Sequence, residues 1–224
     1  MSPDKLTNVL FLHWQRSLQL FRVESVAVQE AFARLVEAYS SSGRYYHTLE
    51  HIDHVLSTIQ TLQNHTKDLA TVQLAAWFHD AIYDSQANDN EEKSANYARE
   101  LLQALGIPSS VIANVTRLIV NTKQHQAAVE DSDSQVLLDA DLAILSSKPI
   151  QYWEYADKIR QEYAWVPETQ YIEGRKQVLE RFLQRNRIYF TVLMFNLAEA
   201  SARSNLKAEI QFLQHQIPAD AVKG

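Results

Sequence analysis

An imidazole and a carboxylate stand side by side at His79-Asp80, inside the largely apolar stretch Leu74-Ala75-Ala76-Trp77-Phe78-His79-Asp80-Ala81-Ile82-Tyr83-Asp84. Such a pair is costly to bury unless the two groups are paired, hydrogen-bonded or bound to a metal. Other ligand-type side chains lie upstream, at His47, His51 and His54, and downstream, at His125, Asp139 and Asp141. Two imidazoles and two carboxylates make a mixed nitrogen and oxygen site suited to Mn, Fe, Co, Ni or Zn, and less to Ca, which prefers oxygen. A divalent cation lowers the pKa of bound water towards neutrality and polarises a phosphoryl oxygen under attack. The chemistry on offer is therefore metal-dependent hydrolysis without a Ser, Thr or Cys nucleophile.

The elements that must position these residues read as helices almost throughout. Only four glycines and five prolines occur in 224 residues, so tight-turn signals are scarce and long helices joined by short loops are favoured. The spacing predicts helices over about 6–20 and 24–41, the second with Val28, Ala31, Phe32, Leu35 and Tyr39 at three- and four-residue steps. From His47 to Leu62, residues Ile52, Val55, Leu56, Ile59 and Leu62 mark an apolar face. His47, His51 and His54, four and three apart, then project from roughly one side. A helix beginning near Lys67 ends around His79 to Asp84, before the polar loop 85–90. Others cover 91–105, closed by Gly106, and 108–121. After a polar stretch, about 122–134, two acids interrupt the buried-looking run Val136–Leu145. Helices starting at Pro149, over 168–185 and over 191–215 complete the chain.

His51, His79-Asp80 and Asp141, in that order, resemble the His…His-Asp…Asp signature of the HD-domain metal-dependent phosphohydrolases. The stretches Arg44-Tyr45-Tyr46-His47-Thr48-Leu49-Glu50-His51, Trp77 to Asp84 and Ile159-Arg160-Gln161-Glu162-Tyr163 are similar to a bacterial and fungal branch described as predicted metal-dependent HD phosphohydrolases. Arg187-Ile188-Tyr189-Phe190-Thr191 with Glu199, Ala202, Arg203 and Asn205 extends the likeness, which spans about 20–215. The resemblance implies an all-α HD-type helical bundle. It implies one domain over 1–217, with a metal-binding core at about 22–145 and a C-terminal helical extension at about 146–217. It implies His51, His79, Asp80 and Asp141 as metal ligands, with His47 as the competitor for the first position one helical turn away. It also implies hydrolysis of a phosphate ester or phosphoanhydride in a nucleotide or another small phosphorylated molecule.

Related ppGpp hydrolases carry His-Asp-x-x-Glu-Asp, whose final acids help to activate or position water. This chain has Tyr83 in place of the Glu and keeps the last acid as Asp84. A helix continuing to Asp84 would place it on the same side as Asp80, four residues earlier, to orient or deprotonate water. Glu91 and Glu92 compete for that role, and a capping role is the other reading of Asp84. Arg44, Lys93, and Lys123 with His125 are candidates for phosphate contacts. His125, with His47, leaves room for a second metal, as in dinuclear members of the superfamily. Asp139 reads as a helix-start or surface carboxylate, and His54 as a packed or partly exposed histidine. Arg160, Glu162, Tyr163, Arg175, Arg187 and Tyr189 read as an ion-pair and aromatic network joining the C-terminal helices to the core.

Composition excludes other classes. Without cysteine there are no disulfides, thiolate metal sites or Cys nucleophiles. A net charge of −6, from 21 basic and 27 acidic residues and no strongly basic tract, disfavours nucleic acid as a partner. Met1-Ser2-Pro3-Asp4-Lys5 lacks a positive region followed by an apolar run, and no uncharged apolar stretch approaches the roughly 20 residues that span a bilayer. The expectation is a soluble cytoplasmic protein. Its long C-terminal helices carry Phe182, Leu183, Phe190, Leu193, Met194, Leu197 and Ile210, enough apolar surface for a homodimer. Two rival functions stay open: a diiron HD-type oxygenase, which needs more ligands than four, and a non-catalytic metal- or nucleotide-binding scaffold.

Overall fold

A computed structural model describes residues 3–216; position 217, the expected end of the C-terminal extension, lies outside them. Among the described residues there are ten α-helices and no strand, in agreement with the all-α expectation. The chain forms two compact units that divide between Asp141 and Leu142.

The first unit holds α1 (Pro3–Leu18), α2 (Ser25–Tyr39), α3 (Leu49–Thr61), α4 (Leu69–Phe78), α5 (Asn90–Ala104), α6 (Ser109–Thr122) and α7 (Ser132–Asp141). Its centre is α4, whose sequence Leu-Ala-Thr-Val-Gln-Leu-Ala-Ala-Trp-Phe is apolar on every side. A helix of that kind is stable only when surrounded, and α1, α3, α5, α6 and α7 all pack on it. Helix α1, which the sequence placed ahead of the metal-binding core, is part of this packing. Its Trp14 is fully buried, meets Trp77 edge-on at 5.6 Å and donates its indole N–H to the Val28 carbonyl at 3.0 Å.

Helices α4 and α7 are each ten residues, about 15 Å, long and run parallel. Their starts are tied together by Asp133, whose Oδ1 accepts from the backbone N–H of Lys67 at 2.6 Å and of Asp68 at 3.3 Å. Asp68 in turn caps α4, accepting from the Thr71 N–H at 3.1 Å. Equal lengths from a common start bring the C-terminal ends to one level, where His79-Asp80 and Asp141 stand. Helix α3 packs on both, and its first turn, with His51, meets the same end.

The second unit holds a 3₁₀ turn (Leu142–Ser146), α8 (Pro149–Glu162), α9 (Glu168–Gln184) and α10 (Val192–Gln216) around Tyr152, Ile172, Leu179, Ile188, Tyr189 and Leu206. Buried polar side chains set its loops. Glu199 accepts the Ile188 and Tyr189 N–H groups, and Arg203 binds both Glu199 and the carbonyls of Leu183 and Arg185 at the end of α9. Arg175 pairs with Glu209 at 2.8 Å, and the Tyr152 hydroxyl donates to the same carboxylate. This pairing lies within the C-terminal helices and uses Glu209, an acid that the sequence reading did not name. Arg160 closes the Tyr163 and Val166 carbonyls, and Arg187 lies over the Phe195 ring. Among the described residues no helix is long and apolar enough to cross a membrane.

Candidate metal centre

Four side chains from three helix ends converge in the first unit: His51, His79, Asp80 and Asp141 each offer one ligand atom, all within 4.8 Å of one another. The His51 and His79 Nε2 atoms are 3.1 Å apart. Asp80 Oδ2 lies 3.5 Å from the first and 3.1 Å from the second, and Asp141 Oδ1 lies 3.4 Å from each. Atoms bound at about 2.1 Å to one cation stand about 3.0 Å apart at right angles and about 3.4 Å apart at tetrahedral angles. The five separations that involve an imidazole are compatible with one shared cation. The donor set fits a borderline divalent transition metal.

The outer partners support the same reading. His79 Nδ1 can only donate to the Ala76 carbonyl, 2.9 Å away, so its Nε2 presents a lone pair to the centre when the ring is neutral. His51 Nδ1 meets the Tyr46 hydroxyl at 3.1 Å, which accepts the ring N–H when Nε2 is the ligating atom. Both imidazoles are buried, whereas the two carboxylates are half-buried and form the side facing solvent.

Why the chain turns here follows from the carbonyls that α4 leaves unpaired at its end. The Ala76 carbonyl takes the His79 ring N–H, Trp77 takes the Tyr39 hydroxyl at 3.0 Å, and Phe78 takes the Ala81 N–H. Arg44 closes two carbonyls further on, donating from Nη1 to Asp80 and from Nη2 to Ala81, each at 2.8 Å. Nη1 also reaches the His47 carbonyl and Nε the Ser41 hydroxyl, both at 3.0 Å. Its guanidinium lies over the Tyr39 and Tyr83 rings. Arg44 is thus committed to backbone, a correction to its expected role as a phosphate contact. A fork of donors suits adjacent carbonyls as well as it suits phosphate, and burial of α4's end decides between them.

Beyond Ala81, Ser94 Oγ exchanges hydrogen bonds with Ile82, and the Asn90 side chain brackets the Asp84 backbone. Asp84 itself is exposed, and its Oδ1 accepts the Gln86 N–H at 2.9 Å. Because α4 ends at Phe78, no helix carries Asp80 and Asp84 on one side. The Asp84 carboxylate shapes the loop and does not join the four. Lys93 is also outside the group: 52% exposed, it pairs with Asp89 at 2.8 Å on the surface of α5. Lys123 binds the Asn88 carbonyl and Glu92.

His47 precedes α3 rather than sitting on it, so helical spacing does not align it with His51. It nonetheless reaches the rim: its Nε2 lies 3.9 Å from Asp80 Oδ2, and its ring packs on Tyr83 at 4.1 Å. His125 Nε2 lies 3.0 Å from Asp141 Oδ2, the oxygen turned away from the imidazoles. The sequence reading did not assign Tyr39, Tyr46, Asn90 or Ser94 to the site, because their hydrogen bonds reach residues on other elements, which periodicity along one helix does not mark. Asp139 is fully buried in the last turn of α7, which corrects the helix-start or surface reading. His54 is half-buried, and its pKa is lowered, first by burial and then by His51.

Without a cation, burial lowers the His51 and His79 pKa values, but Asp141 and Asp80 more than reverse this for both, and they stand above the ordinary imidazole value. Burial likewise opposes the charged Asp80 and Asp141, and the facing histidines hold both carboxyls well below their usual range. The imidazole contribution to metal-free stability is complete below the ordinary imidazole value and is lost as pH rises through the raised values. The carboxylate contribution is present above the ordinary range and is lost as pH falls through the lowered values. A cation must displace the imidazole protons. Affinity for Mn²⁺ or Zn²⁺ is therefore expected to fall as pH drops below the raised imidazole values, with proton release on binding. Calorimetry in buffers of different ionisation enthalpy reads the release; proton-free binding at neutral pH contradicts it.

No protein-family model matches this chain, and no curated protein matches it.

Proposed function

We propose that the protein is a metal-dependent phosphohydrolase of the HD type, acting on a phosphate ester or phosphoanhydride of a nucleotide or another small phosphorylated molecule. The observation that carries this reading is the spacing of the His51, His79, Asp80 and Asp141 ligand atoms, 3.1–3.5 Å wherever an imidazole is one partner. The order of these residues in the chain supports it.

A divalent cation held there supplies Lewis acidity, which acidifies water and draws charge from a phosphoryl oxygen. The chain's own groups then divide the work. His51 and His79, oriented by Tyr46 and Ala76, present Nε2, and Arg44 keeps the Asp80 backbone from moving. His47 and His125, with side chains 18% and 26% exposed, hold Nε2 beside Asp80 Oδ2 and Asp141 Oδ2, where each can hold or pass a proton.

The test is phosphate release by the full chain loaded in turn with Mn, Fe, Co, Ni and Zn, against nucleotides, phosphomonoesters and a phosphodiester. Metal-dependent release that disappears in Asp80→Ala is expected. A second reading, a nucleotide-binding scaffold, is favoured by Tyr83 standing where the ppGpp hydrolases have Glu and by the exposed, loop-capping Asp84. Saturable nucleotide binding with no release from any substrate would establish it instead. Asp84→Asn keeps the Oδ1 acceptor for Gln86 and is expected to leave turnover within about threefold, since surface changes away from a site cost little. A loss of hundredfold or more would return Asp84 to the reaction.

A further inference from the structure

His125 carries two features that the four-ligand centre does not use. It lies just past the end of α6, and its backbone is in the left-handed region at φ +47°. An L residue seldom adopts that conformation, which glycine takes without strain. This chain uses glycine for it after α2, at Gly43, and after α5, at Gly106. Among the described residues only Arg22 is another non-glycine there. The second feature is the contact between His125 Nε2 and Asp141 Oδ2 at 3.0 Å. The left-handed residue turns the chain after α6, and its imidazole meets the end of α7, sixteen residues later.

We propose that His125 is a positioning residue that keeps Asp141 a one-oxygen ligand; the proposal rests on the metal reading above. A carboxylate at a cation can bind through either oxygen or both. Here Oδ1 faces His51 and His79 at 3.4 Å, and the His125 ring N–H engages Oδ2. Holding Oδ2 on the imidazole prevents the carboxylate from rotating to occupy a second coordination position. That position stays available to water or to a phosphoryl oxygen. The strained backbone at 125 is the conformation that brings the imidazole to this oxygen, which explains why glycine does not stand there.

The experiment is titration of the full chain with Co²⁺, following its visible absorption, which reports coordination number, together with metal stoichiometry and thermal melting. His125→Ala and His125→Gly are expected to weaken Co²⁺ binding about ten- to a hundredfold and to change the shape and intensity of the absorption band. His125→Gln, whose terminal amide N–H extends towards Oδ2, is expected to bind within about threefold of the unaltered chain with its band retained. His125→Gly also relaxes the backbone, so its metal-free melting temperature should equal or exceed that of the unaltered chain. Weak binding in this variant then cannot be laid to misfolding. Unchanged affinity and spectrum in both Ala and Gly variants would overturn the positioning role alone. Two Co²⁺ per chain, falling to one in His125→Ala, would overturn it by making His125 a ligand of a second cation. Failure of the unaltered chain to bind Co²⁺ would remove the metal centre itself.

Discussion

Arg44→Ala is expected to destabilise the first unit by about 3 kcal/mol and to abolish metal retention, although Arg44 is none of the four ligands. Two donor nitrogens, Nη1 shared by the His47 and Asp80 carbonyls and Nη2 on the Ala81 carbonyl, are lost together, and at the lower end of the range for hydrogen bonds to charged groups, about 1.5 kcal/mol per donor, this comes to about 3 kcal/mol. The turn that carries Asp80 past the end of α4 then has no fixed path. Arg44→Lys is the sharper test. An ammonium keeps the charge but cannot span carbonyls that the two Nη atoms divide between them, so less than half of the stability should return. Urea unfolding and metal content after dialysis read both effects. Full stability and metal binding in the lysine variant would show that charge alone, rather than the fork, holds the turn.

Asp80→Ala should remove the cation's stabilisation entirely. Metal at about a thousandfold over its dissociation constant stabilises a folded site by about 4 kcal/mol, on the order of 10 °C in melting temperature at this chain size. That rise is expected for the unaltered chain and for Asp84→Ala, and is expected to vanish in Asp80→Ala and His79→Ala. The contrast follows from geometry: Asp80 Oδ2 lies 3.1–3.5 Å from both imidazoles, whereas the Asp84 carboxylate binds a loop N–H. Stoichiometric metal retained in Asp80→Ala would mean that the four groups are not the site.

The helices were legible in the chain because their signal is local, whereas the four ligand residues were named by the likeness to the HD-domain signature rather than by spacing. Three- and four-residue apolar spacing marked α2 and α3 and placed their buried faces at Val28, Phe32, Leu35, Ile52, Val55 and Ile59, which the structure buries. The sequence also placed a helix from near Lys67 to His79, and α4 lies there, packed on by five other helices. Periodicity gave poor guidance where helices end. The apolar pattern continues through Ala81 and Ile82, but α4 stops at Phe78, where the His79 ring, the Tyr39 hydroxyl and the Ala81 N–H take the Ala76, Trp77 and Phe78 carbonyls that a further turn would have used.

Charged residues show the same division. In the chain, Arg44 and Lys93 are equivalent cations near an acidic motif; in the fold one is locked onto backbone carbonyls and the other pairs with Asp89 at the surface. Asp139 and Asp141 differ by two residues on one helix, so the helix turns them to different sides. One is fully buried, and the other faces the histidines.

Residue types and spacing by themselves determined an all-helical chain that carries histidines and acids able to donate nitrogen and oxygen to a cation. Those properties depend on side-chain chemistry and on the 3.6-residue turn, which a sequence carries directly. Only the tertiary structure decided that α4 and α7 start together at Asp133 and finish at one level, that His47 stands before its helix, and that His125 reaches Asp141. These depend on where chain ends cap and meet, and hydrogen bonds across dozens of residues leave no local pattern to read.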